Sequence, residues 1–373
     1  MEGQWVGDVS SADLNAKFCI INVEKQKSAY RFYCYLLERN PLIPSGFSTF
    51  SVPLGQDEYN VTLKLGQELT VLSKDSIIVS SDQINFVLSN SYPNATFSQQ
   101  VEVVIKIEGD SLNVTFESDV LGNVSFKLTQ GISNISHYPS KKITWDEYKI
   151  LINNIDYRKV AFRGQADTWP LRTSFHRTGR YDVINYALKD IPMLHRHISG
   201  LMPHYLNLSD PQHYGAFYNI LQHHGYPTPL LDWSYSPFVA AFFAFYAINK
   251  DDSKDKWVRI FMWEVDMWRN EVMQFNSIFD CRPHISIGEY LNINNNRALP
   301  QQALTCLTNV CDIEGYLYGY GGNTDKYLKA YDISVDEAEK AMRELSMMGV
   351  TYGTLFPGID GACYDFKKMN FPR

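Results

Sequence analysis

Short runs of alternating apolar and polar residues dominate the first 130 residues of the chain. Gly, Asn, Asp, Ser and Pro separate these runs at close spacing, which is typical of antiparallel strands joined by tight turns. The runs are KFCIINVE, YNVTLKL, QELTVL, SIIVSS, INFVLS, QQVEVVIKIEG, DSLNVTFES and GNVSFKLTQ. They predict an antiparallel β sandwich or small barrel over residues 1–130, which we interpret as an accessory or sensor domain.

The pattern changes at a polar stretch, GISNISHYPSKK, which we interpret as a linker over residues 131–142. Beyond it, apolar residues recur at helical spacing in some segments and form short strands in others. The segment ITWDEYKILINNI carries one apolar face, with Thr144 as its N-cap. Residues 143–373 are therefore predicted to form a mixed α+β domain, so that the whole chain is α+β.

Caps and breakers predict further elements of this second domain. KVAFRGQ and WVRIFMWEV are strands, and the first of them ends at Gly164. YDVINYALKDI is a helix that begins after Asp182 and ends near Pro192, and SDPQHYGAFYNILQHHG is a helix with Ser209 as its cap. SPFVAAFFAFYAI is apolar on all sides, which predicts a fully buried helix. SVDEAEKAMRELSMMG is another helix, and TYGTLFP leads to a final strand or loop.

Composition and charge exclude several classes of protein. Hydrophobic residues make up 45% of the 373 residues, which is too much apolar surface for an intrinsically disordered chain. The net charge of −7 argues against a general duplex-binding protein, because such a protein needs a basic face. Residues 1–130 carry 9 basic and 15 acidic side chains, whereas the remaining residues carry 25 and 26. This step in charge agrees with two modules.

The six cysteines are few and scattered, with no Cys-x-x-Cys pair and no common zinc spacing. We therefore expect reduced, mostly buried thiols in a cytoplasmic protein, and no metal site. The N-terminal MEGQWVGDVSS has neither the basic region nor the apolar run of a signal peptide. The apolar stretch from Pro237 to Ile248 is shorter than the roughly 20 residues that cross a bilayer, so no membrane association is expected.

Two segments combine polar groups with Gly and Pro in apolar surroundings. In Phe162-Arg163-Gly164-Gln165, the Arg at the end of an apolar strand is expected to be largely buried. A buried guanidinium needs an anionic or carbonyl partner, which is either a structural carboxylate or a ligand phosphate or ribose. In QHHGYPTPLLDWS, adjacent His side chains at a helix end point in different directions and lack a third metal ligand. Asp232 there is either a ligand contact or the cap of the next helix.

A third segment, NNNRALPQQ, runs from Asn294 to Gln302 and is either a set of amides that read ligand edges or an ordinary loop. Together with the first two segments it resembles the FRG-domain family in motif order over about residues 145–370. The matching positions are Phe162-Arg163-Gly164-Gln165, Trp169-x-Leu171, Ser174 with Arg177, QHHGYPTPLLDWSYSPFVAAFFA, Arg297 with Gln301, and TLFPGIDG. The chain departs from the family pattern at Pro229, where an Arg is usual, and at Ala303 and Gly358.

The resemblance extends more distantly to the ADP-ribosyltransferase-like fold and implies NAD as a possible co-substrate. By that analogy Arg163 grips phosphate or ribose, His223 contacts the ribose hydroxyls, and Gln301 orients an acceptor. Tyr226 or Trp233 would sandwich the nicotinamide ring. The implied catalytic residues are thus Arg163, His223 and Gln301, and the implied cofactor-binding residues are Arg163, Gly164, Gln165, His223, Thr228, Asp232, Trp233 and Arg297.

The implied function is an NAD-using effector that performs ADP-ribosyl transfer or NAD hydrolysis, since members of the family occur in phage-defence and toxin-type systems. A Gln cannot act as a base at neutral pH, which leaves Glu264 and Glu314 as reserve carboxylates. The acceptor would be a protein or a nucleic acid, and the N-terminal domain would bind a protein partner or a trigger. The alternative is a non-catalytic nucleotide-binding or sensor protein. A nuclease lacks support, because we see neither an acidic cluster for paired metals nor a basic groove.

Overall fold

Nine strands from the first 130 residues form one antiparallel sheet. The structure is a computed structural model that describes residues 1–11, 14–131, 135–156, 158–248, 256–275, 277–293 and 295–371, with side chains described outside residues 10–16. The strands are β1 (Gly3–Ser11), β2 (Leu14–Lys25), β3 (Ala29–Glu38), β4 (Gly46–Pro53), β5 (Glu58–Lys64), β6 (Leu69–Val71), β7 (Gln100–Glu108), β8 (Ser111–Ser118) and β9 (Gly122–Gln130).

This sheet curls so that its two edges come close together. The strand order is β5-β7-β8-β9-β1-β2-β3-β4-β6, so the edge strands β5 and β6 are neighbours in the chain. A bridge between Leu65 and Leu69 connects the ends of these two strands. Alternate side chains of the strands point inward and form an apolar core that includes Trp5, Phe32 and Ile105. The predicted antiparallel β domain is therefore confirmed, as a nearly closed, barrel-like sheet.

Two runs predicted as strands in this domain have a different structure. INFVLS forms helix α1 (Ile84–Ser91), and its prediction as a strand is wrong. Ile84, Val87 and Leu88 pack together beside Val71 of β6, at the spacing of one helical face. SIIVSS contributes a single bridge, between Leu72 and Ile78, rather than a strand.

Strand β3 was not among the predicted runs, and its burial explains why. Its sequence AYRFYCYLLE does not alternate, because both of its faces are covered. Phe32 and Cys34 point into the barrel, whereas Tyr33 and Tyr35 pack outward against Ile184 and other residues of the second half of the chain. A strand that is buried on both faces loses the period-two signal by which strands are recognised.

Seven strands form a second, mixed sheet. Its order is β10-β16-β13-β11-β12-β15-β14, with β10 parallel to β16 and the other pairs antiparallel. The first of these strands lies within the segment that we interpreted as a linker. The strands are β10 (Ser140–Lys142), β11 (Ala161–Gln165), β12 (Leu230–Ser234), β13 (Trp257–Trp263), β14 (Ile285–Gly288), β15 (Ala303–Thr308) and β16 (Leu328–Ser334).

Helices pack on this sheet and beside it. None of the helices in the described part of the chain has the length and apolar character needed to cross a membrane. The helices are α2 (Trp145–Ile152), α3 (Val183–Asn185), α4 (Ile191–Ile198), α5 (Pro211–His223), α6 (Pro237–Tyr246), α7 (Val265–Glu271), α8 (Ile313–Tyr320), α9 (Ala338–Met347), α10 (Tyr352–Leu355) and α11 (Ile359–Asn370).

Several predicted boundaries are confirmed and others are corrected. Thr144 caps α2 in a capping box with Glu147, as its position before an apolar face predicted. The helix after Asp182 does not end near Pro192, because a π-helical turn leads into α4 and the proline occupies the first turn there, where no N–H is needed. Asp210, rather than Ser209, caps α5. The C-terminal segment predicted as a strand or loop forms α10 and α11.

Helix α6 is the buried helix that its apolar sequence predicted. It packs on β11 so closely that a Cβ added to Gly164 would lie 1.9 Å from the carbonyl oxygen of Ala240. The same layer contains Trp145 and Tyr148 of α2, and Leu345 of α9. The glycine of the Phe-Arg-Gly segment is thus required by the contact between helix and strand.

Buried polar contacts join the barrel to the second half of the chain. Asn22 of β2 and Tyr35 of β3 both donate hydrogen bonds to the Asp182 carboxylate, at 3.0 and 2.7 Å. The Glu24 carboxylate accepts from the backbone N–H groups of Tyr181 and Asp182, at 2.9 and 3.0 Å. The cap of α3 is therefore held by the outer face of the barrel.

Candidate functional site

The second sheet opens between β11 and β12. These two strands share one register pair, Phe162 with Ser234, whereas β11 pairs with β13 and β12 pairs with β15 along five residues each. The two strands separate beyond that pair, and the side chain of Arg163 spans the gap. Its Nη1 donates a 2.6 Å hydrogen bond to the backbone carbonyl of Asp232. The carbonyl partner is one of the two kinds that the sequence predicted for this guanidinium.

The guanidinium of Arg163 retains an unused donor. Its Nε is inaccessible to solvent and has no hydrogen-bond partner in the described part of the chain. Burial lowers the pKa of Arg163, the Asp232 carboxylate opposes that shift, and the positive charge of Arg177 adds to it. Because an Arg side chain remains charged in proteins, a buried donor of this kind favours an anionic or carbonyl acceptor.

Asp232 is held in place from the neighbouring helix. The Gln222 side chain, near the end of α5, donates to the Asp232 carboxylate and accepts from the Thr228 hydroxyl. The Ser174 hydroxyl accepts from the backbone N–H of Thr228 at 2.9 Å, which fixes the Pro-Thr-Pro turn. Asp232 remains exposed on its strand. Thr228 is fully buried, so it positions the turn.

The expectation that Asp232 caps the following helix is wrong. Ser236 is the N-cap of α6, and its hydroxyl accepts from the backbone N–H of Val239 at 3.3 Å. Asp232 lies two residues before the end of β12, so its carboxylate does not cap the helix that follows. It is therefore available to the charged groups around it.

A second cation, Arg177, and His223 lie near this carboxylate, and a third cation, Arg297, lies near His223. Burial lowers the pKa of His223, the charge of Arg297 lowers it further, and Asp232 opposes both effects. Burial also lowers the pKa of Arg177, on the short 3-10 turn His176–Thr178, and Asp232 again opposes the shift. The structure thus brings Arg163, Arg177 and His223 near Asp232 and Arg297 near His223, and we call these five residues the arginine site.

Three residues that were predicted to contact a ligand are instead engaged in contacts within the protein. Trp233 is buried at 4% exposure, with its ring 5.1 Å from that of Trp263, so it does not offer a stacking surface. Gln165 is buried and donates through Nε2 to the backbone carbonyl of Trp169 at 2.6 Å. The space beside Gly164 is filled by α6.

Gln301 lies near the site but is tied to the backbone. The side-chain Nε2 of Gln301 donates to the backbone carbonyl of Leu355 in α10 at 2.9 Å, and the backbone carbonyl of Gln301 accepts from the Ser234 hydroxyl at 2.7 Å. It therefore fastens the end of β12, where β11 and β12 meet. Arg297 stacks on Phe356, with 4.8 Å between the guanidinium carbon and the ring centroid. Asn294, which opens the same predicted segment, lies outside the described residues.

The reserve carboxylates have structural partners elsewhere. Glu264 forms a 2.7 Å ion pair with Lys329. Glu314 is buried and accepts from the Ser136 hydroxyl at 2.8 Å and from the backbone N–H of Leu171 at 3.0 Å, while burial raises its pKa. Asp232, by contrast, is the carboxylate within the arginine site.

Sequence reasoning missed two contributors to the site. Arg177 was recognised as a motif residue but not as a ligand contact, and its position before Gly179 at the end of a short turn gave no periodic signal. Gln222 precedes the His pair, and nothing local indicates that its amide reaches Asp232 across the turn. Both depend on how α5 and the turn pack beside β12.

Residues 158–253 match the sequence model of the FRG domain. The chain therefore contains an FRG domain, and the matched stretch includes Arg163, Arg177, His223 and Asp232. No curated protein and no solved structure matches the chain. Within the described ranges, no group of three or more His, Cys, Asp or Glu side chains is arranged to hold a metal ion. The six cysteines are unpaired and five of them are buried, as predicted.

Proposed function

We propose that the arginine site binds the pyrophosphate of NAD or of a related nucleotide. The observation that carries this proposal is the group of three arginines, one histidine and one carboxylate at the opening between β11 and β12, where the Arg163 side chain is only partly buried. Arginine cations outnumber the single carboxylate, so an anion would balance their charge. A guanidinium presents donors in a planar fork that matches two oxygens of a phosphate.

Asp232 gives the site an acceptor beside these donors. Its carboxylate is exposed on β12 and held by the Gln222 amide, so it can accept a hydrogen bond from a ribose hydroxyl. A fixed negative charge also stabilises positive charge that develops on a ribose ring when the bond to nicotinamide breaks. His223, whose pKa is lowered, is neutral near pH 7 and can both donate to and accept from such a hydroxyl.

From this site together with the FRG-family resemblance, we propose an NAD-using effector that performs ADP-ribosyl transfer or NAD hydrolysis, and the resemblance alone suggests a phage-defence or toxin-type system. The bond between the ribose carbon and the nicotinamide nitrogen breaks, and nicotinamide leaves with the electron pair. Water or an acceptor nucleophile then forms the new bond to that carbon and gives up its proton. The role for the chain is to hold the dinucleotide through Arg163, Arg177 and Arg297 and to place Asp232 beside the ribose.

A nucleotide-binding module without turnover is the second candidate. It is favoured by the hydrogen bond from Gln301 to the carbonyl of Leu355, because an amide engaged with the backbone is not free to orient an acceptor. The ion pair of Glu264 and the buried hydrogen bonds of Glu314 remove two further carboxylates from such a role. On this alternative, ligand binding alone would change the contacts of the domain.

The test combines binding and turnover on the full-length protein. NAD is titrated into the protein by calorimetry, and released nicotinamide is then measured by chromatography. Arg177→Gln should weaken NAD binding at least about tenfold, the loss expected for one charge-assisted contact. Arg343→Gln, at an exposed position of α9, should not weaken it. Nicotinamide release supports the enzyme, and binding without release supports the module. Failure of the unaltered protein to bind NAD would overturn both.

A further inference from the structure

A cavity lies between the outer face of the barrel and the second half of the chain. Its volume is about 290 Å³. The barrel contributes residues of β1, β2, β3 and β9, and the second half contributes α3, the loops around Cys281 and Asn309, and the beginning of α8. Ligand sites occur preferentially at boundaries of this kind. None of the described lining residues belongs to the arginine site, so this cavity is a separate place in the fold.

The barrel wall of this cavity is apolar at positions that point away from the barrel core. Cys19 and Ile21 of β2 point inward, so Phe18 and Ile20 on the same strand point outward into the boundary. Phe18 and Tyr316 of α8 are both half-buried and add aromatic surface to the lining. An engineered protein cavity of about 150 Å³ holds a benzene ring, so a volume of about 290 Å³ admits two fused rings.

Several polar groups of the lining hydrogen-bond to one another. Gln4 Nε2 donates to Asn22 Oδ1 at 3.0 Å and to the backbone carbonyl of Asn309 at 2.8 Å. Gln4 Oε1 accepts from the backbone N–H of Cys311 at 2.9 Å. The Asp182 carboxylate, which accepts from Asn22, is only 1% exposed. These groups fix the shape of the cavity and do not require an occupant.

The carboxylate of Asp312 differs from them, because one of its oxygens is both unpartnered and accessible. Oδ1 accepts from the backbone N–H of Gly315 at 3.0 Å and so caps α8. Oδ2 has no hydrogen bond to any described residue, and it is not one of the unpartnered atoms that the structure seals from solvent. A Cβ added to Gly131 or to Gly315 would clash with Oδ2, and both glycines are exposed residues of the lining. This oxygen therefore lies at the accessible edge of the cavity.

The charges of the lining disfavour an anionic occupant. Asp182 and Asp312 both contribute to it, and the described lining contains no Lys, Arg or His. Burial raises the pKa of Asp312, while the hydrogen bond from Gly315 and the charge of Arg172, which lies outside the lining, oppose the rise. An ionised carboxylate accepts hydrogen bonds and donates none. A neutral molecule with an N–H or O–H donor therefore fits this lining.

We propose that this cavity binds a small uncharged aromatic molecule of one or two fused rings, whose N–H or O–H group donates a hydrogen bond to Oδ2 of Asp312. The rings would contact Phe18 and Tyr316, and the removal of their apolar surface from water would drive binding. The donor would decide which of several similar ring molecules binds best. The proposal concerns the boundary between the barrel and the second half of the chain, and it does not depend on the function proposed for the arginine site.

The experiment compares two pairs of probes on the full-length protein by calorimetry. Indole has a ring N–H donor where 1-methylindole has a methyl group. Indole should bind saturably and at least about tenfold more tightly, because only indole donates to the carboxylate. Benzamide should bind at least about tenfold more tightly than benzoate, its anionic counterpart of equal size, because two carboxylates line the cavity.

The variant Asp312→Asn removes the acceptor and keeps the cap of α8. Asn caps helices as well as Asp does, and when its oxygen accepts from Gly315 its NH2 group stands where Oδ2 stood. The preference for indole over 1-methylindole should disappear in this variant. The matched control is Asp210→Asn, the same change at the N-cap of α5, where the side chain accepts from the backbone N–H of Gln212 and does not line the cavity. Asp210→Asn should retain the preference.

Four results would overturn the proposal. They are failure of indole to bind, equal binding of indole and 1-methylindole, equal binding of benzamide and benzoate, and survival of the preference for indole in folded Asp312→Asn. Urea denaturation shows whether each variant is folded. Should Asp312→Asn fail to fold, the two comparisons of probes on the unaltered protein still decide.

Discussion

Replacing Arg163 tests the arginine site most directly. In the free protein, Arg163→Ala removes one hydrogen bond, to the carbonyl of Asp232 at 2.6 Å, and the net stability of such a bond is about 0.5–1.5 kcal/mol. The variant should therefore stay folded. In the complex it removes charge-assisted hydrogen bonds to phosphate, which contribute about 1.5–3 kcal/mol. That loss corresponds to an increase in the Kd for NAD of about 10- to 150-fold.

The conservative variant separates charge from geometry. Arg163→Lys keeps the positive charge but loses the planar fork, so its affinity for NAD should fall between those of Arg163→Ala and the unaltered protein. Calorimetry gives the Kd, and urea denaturation shows that each variant is folded. If folded Arg163→Ala binds NAD as tightly as the unaltered protein, Arg163 does not contact the ligand and the assignment of the site fails.

Three further predictions concern the fold. Burial lowers the pKa of His176 to about 3 and of His284 to about 4, so the unfolded chain takes up these protons first as the pH falls. As the pH falls from about 6.5 to the lowered pKa of each histidine, that histidine should therefore reduce the free energy of unfolding by about 1.4 kcal/mol per pH unit. His284→Gln should remove its share of that slope in urea titrations at several pH values. Gly164→Ala should lower the free energy of unfolding by at least about 2 kcal/mol, because α6 must move to make room for the added Cβ. Gly200→Ala, with no atom near its added Cβ, should have little effect. Equal losses of stability in the two variants would contradict the packing of α6 on β11. In the native protein a thiol reagent should modify one cysteine, the exposed Cys363, and rapid reaction of a second would contradict the burial of the others.

Local signals predicted many elements of the fold correctly. Thr144 stands before an apolar face with Glu147 three residues later, and a capping box forms there because both side chains find their donors within one turn. The continuous apolar run of α6 predicts burial on all sides, and its helix is buried against β11. In both cases the physical cause lies within a dozen residues of sequence.

Errors arose where a pattern had two interpretations or where both faces of an element were covered. INFVLS contains β-branched residues, yet Ile84, Val87 and Leu88 also have helical spacing, and contact with β6 favours the helix. Strand β3 has no alternation, because the FRG-containing half of the chain covers its outer face. A single sequence does not say which surfaces another part of the chain will cover.

The residues of the candidate site could be predicted from the sequence, but their arrangement in space could not. The Phe-Arg-Gly motif and the His-His…Asp segment are visible in the sequence, and chemistry alone indicates that a buried Arg163 needs a carbonyl or an anion. Only the tertiary structure shows that Arg163 donates to the carbonyl of Asp232 across the opening between β11 and β12. The same holds for the approach of Arg177 to Asp232 and of Arg297 to His223.

The sequence by itself determined the residue types at the site, the order of the two sheets along the chain and some of the helix caps, such as Thr144 and Asp182, because these follow from local spacing and from the chemistry of single side chains. The tertiary structure decided which of those residues act together. It placed Trp233 in the core and tied the Gln301 side chain to a backbone carbonyl of α10, and it left one oxygen of Glu38 without a partner among the described residues. Such convergence comes from packing between segments far apart in the chain, whose relative positions no local pattern encodes.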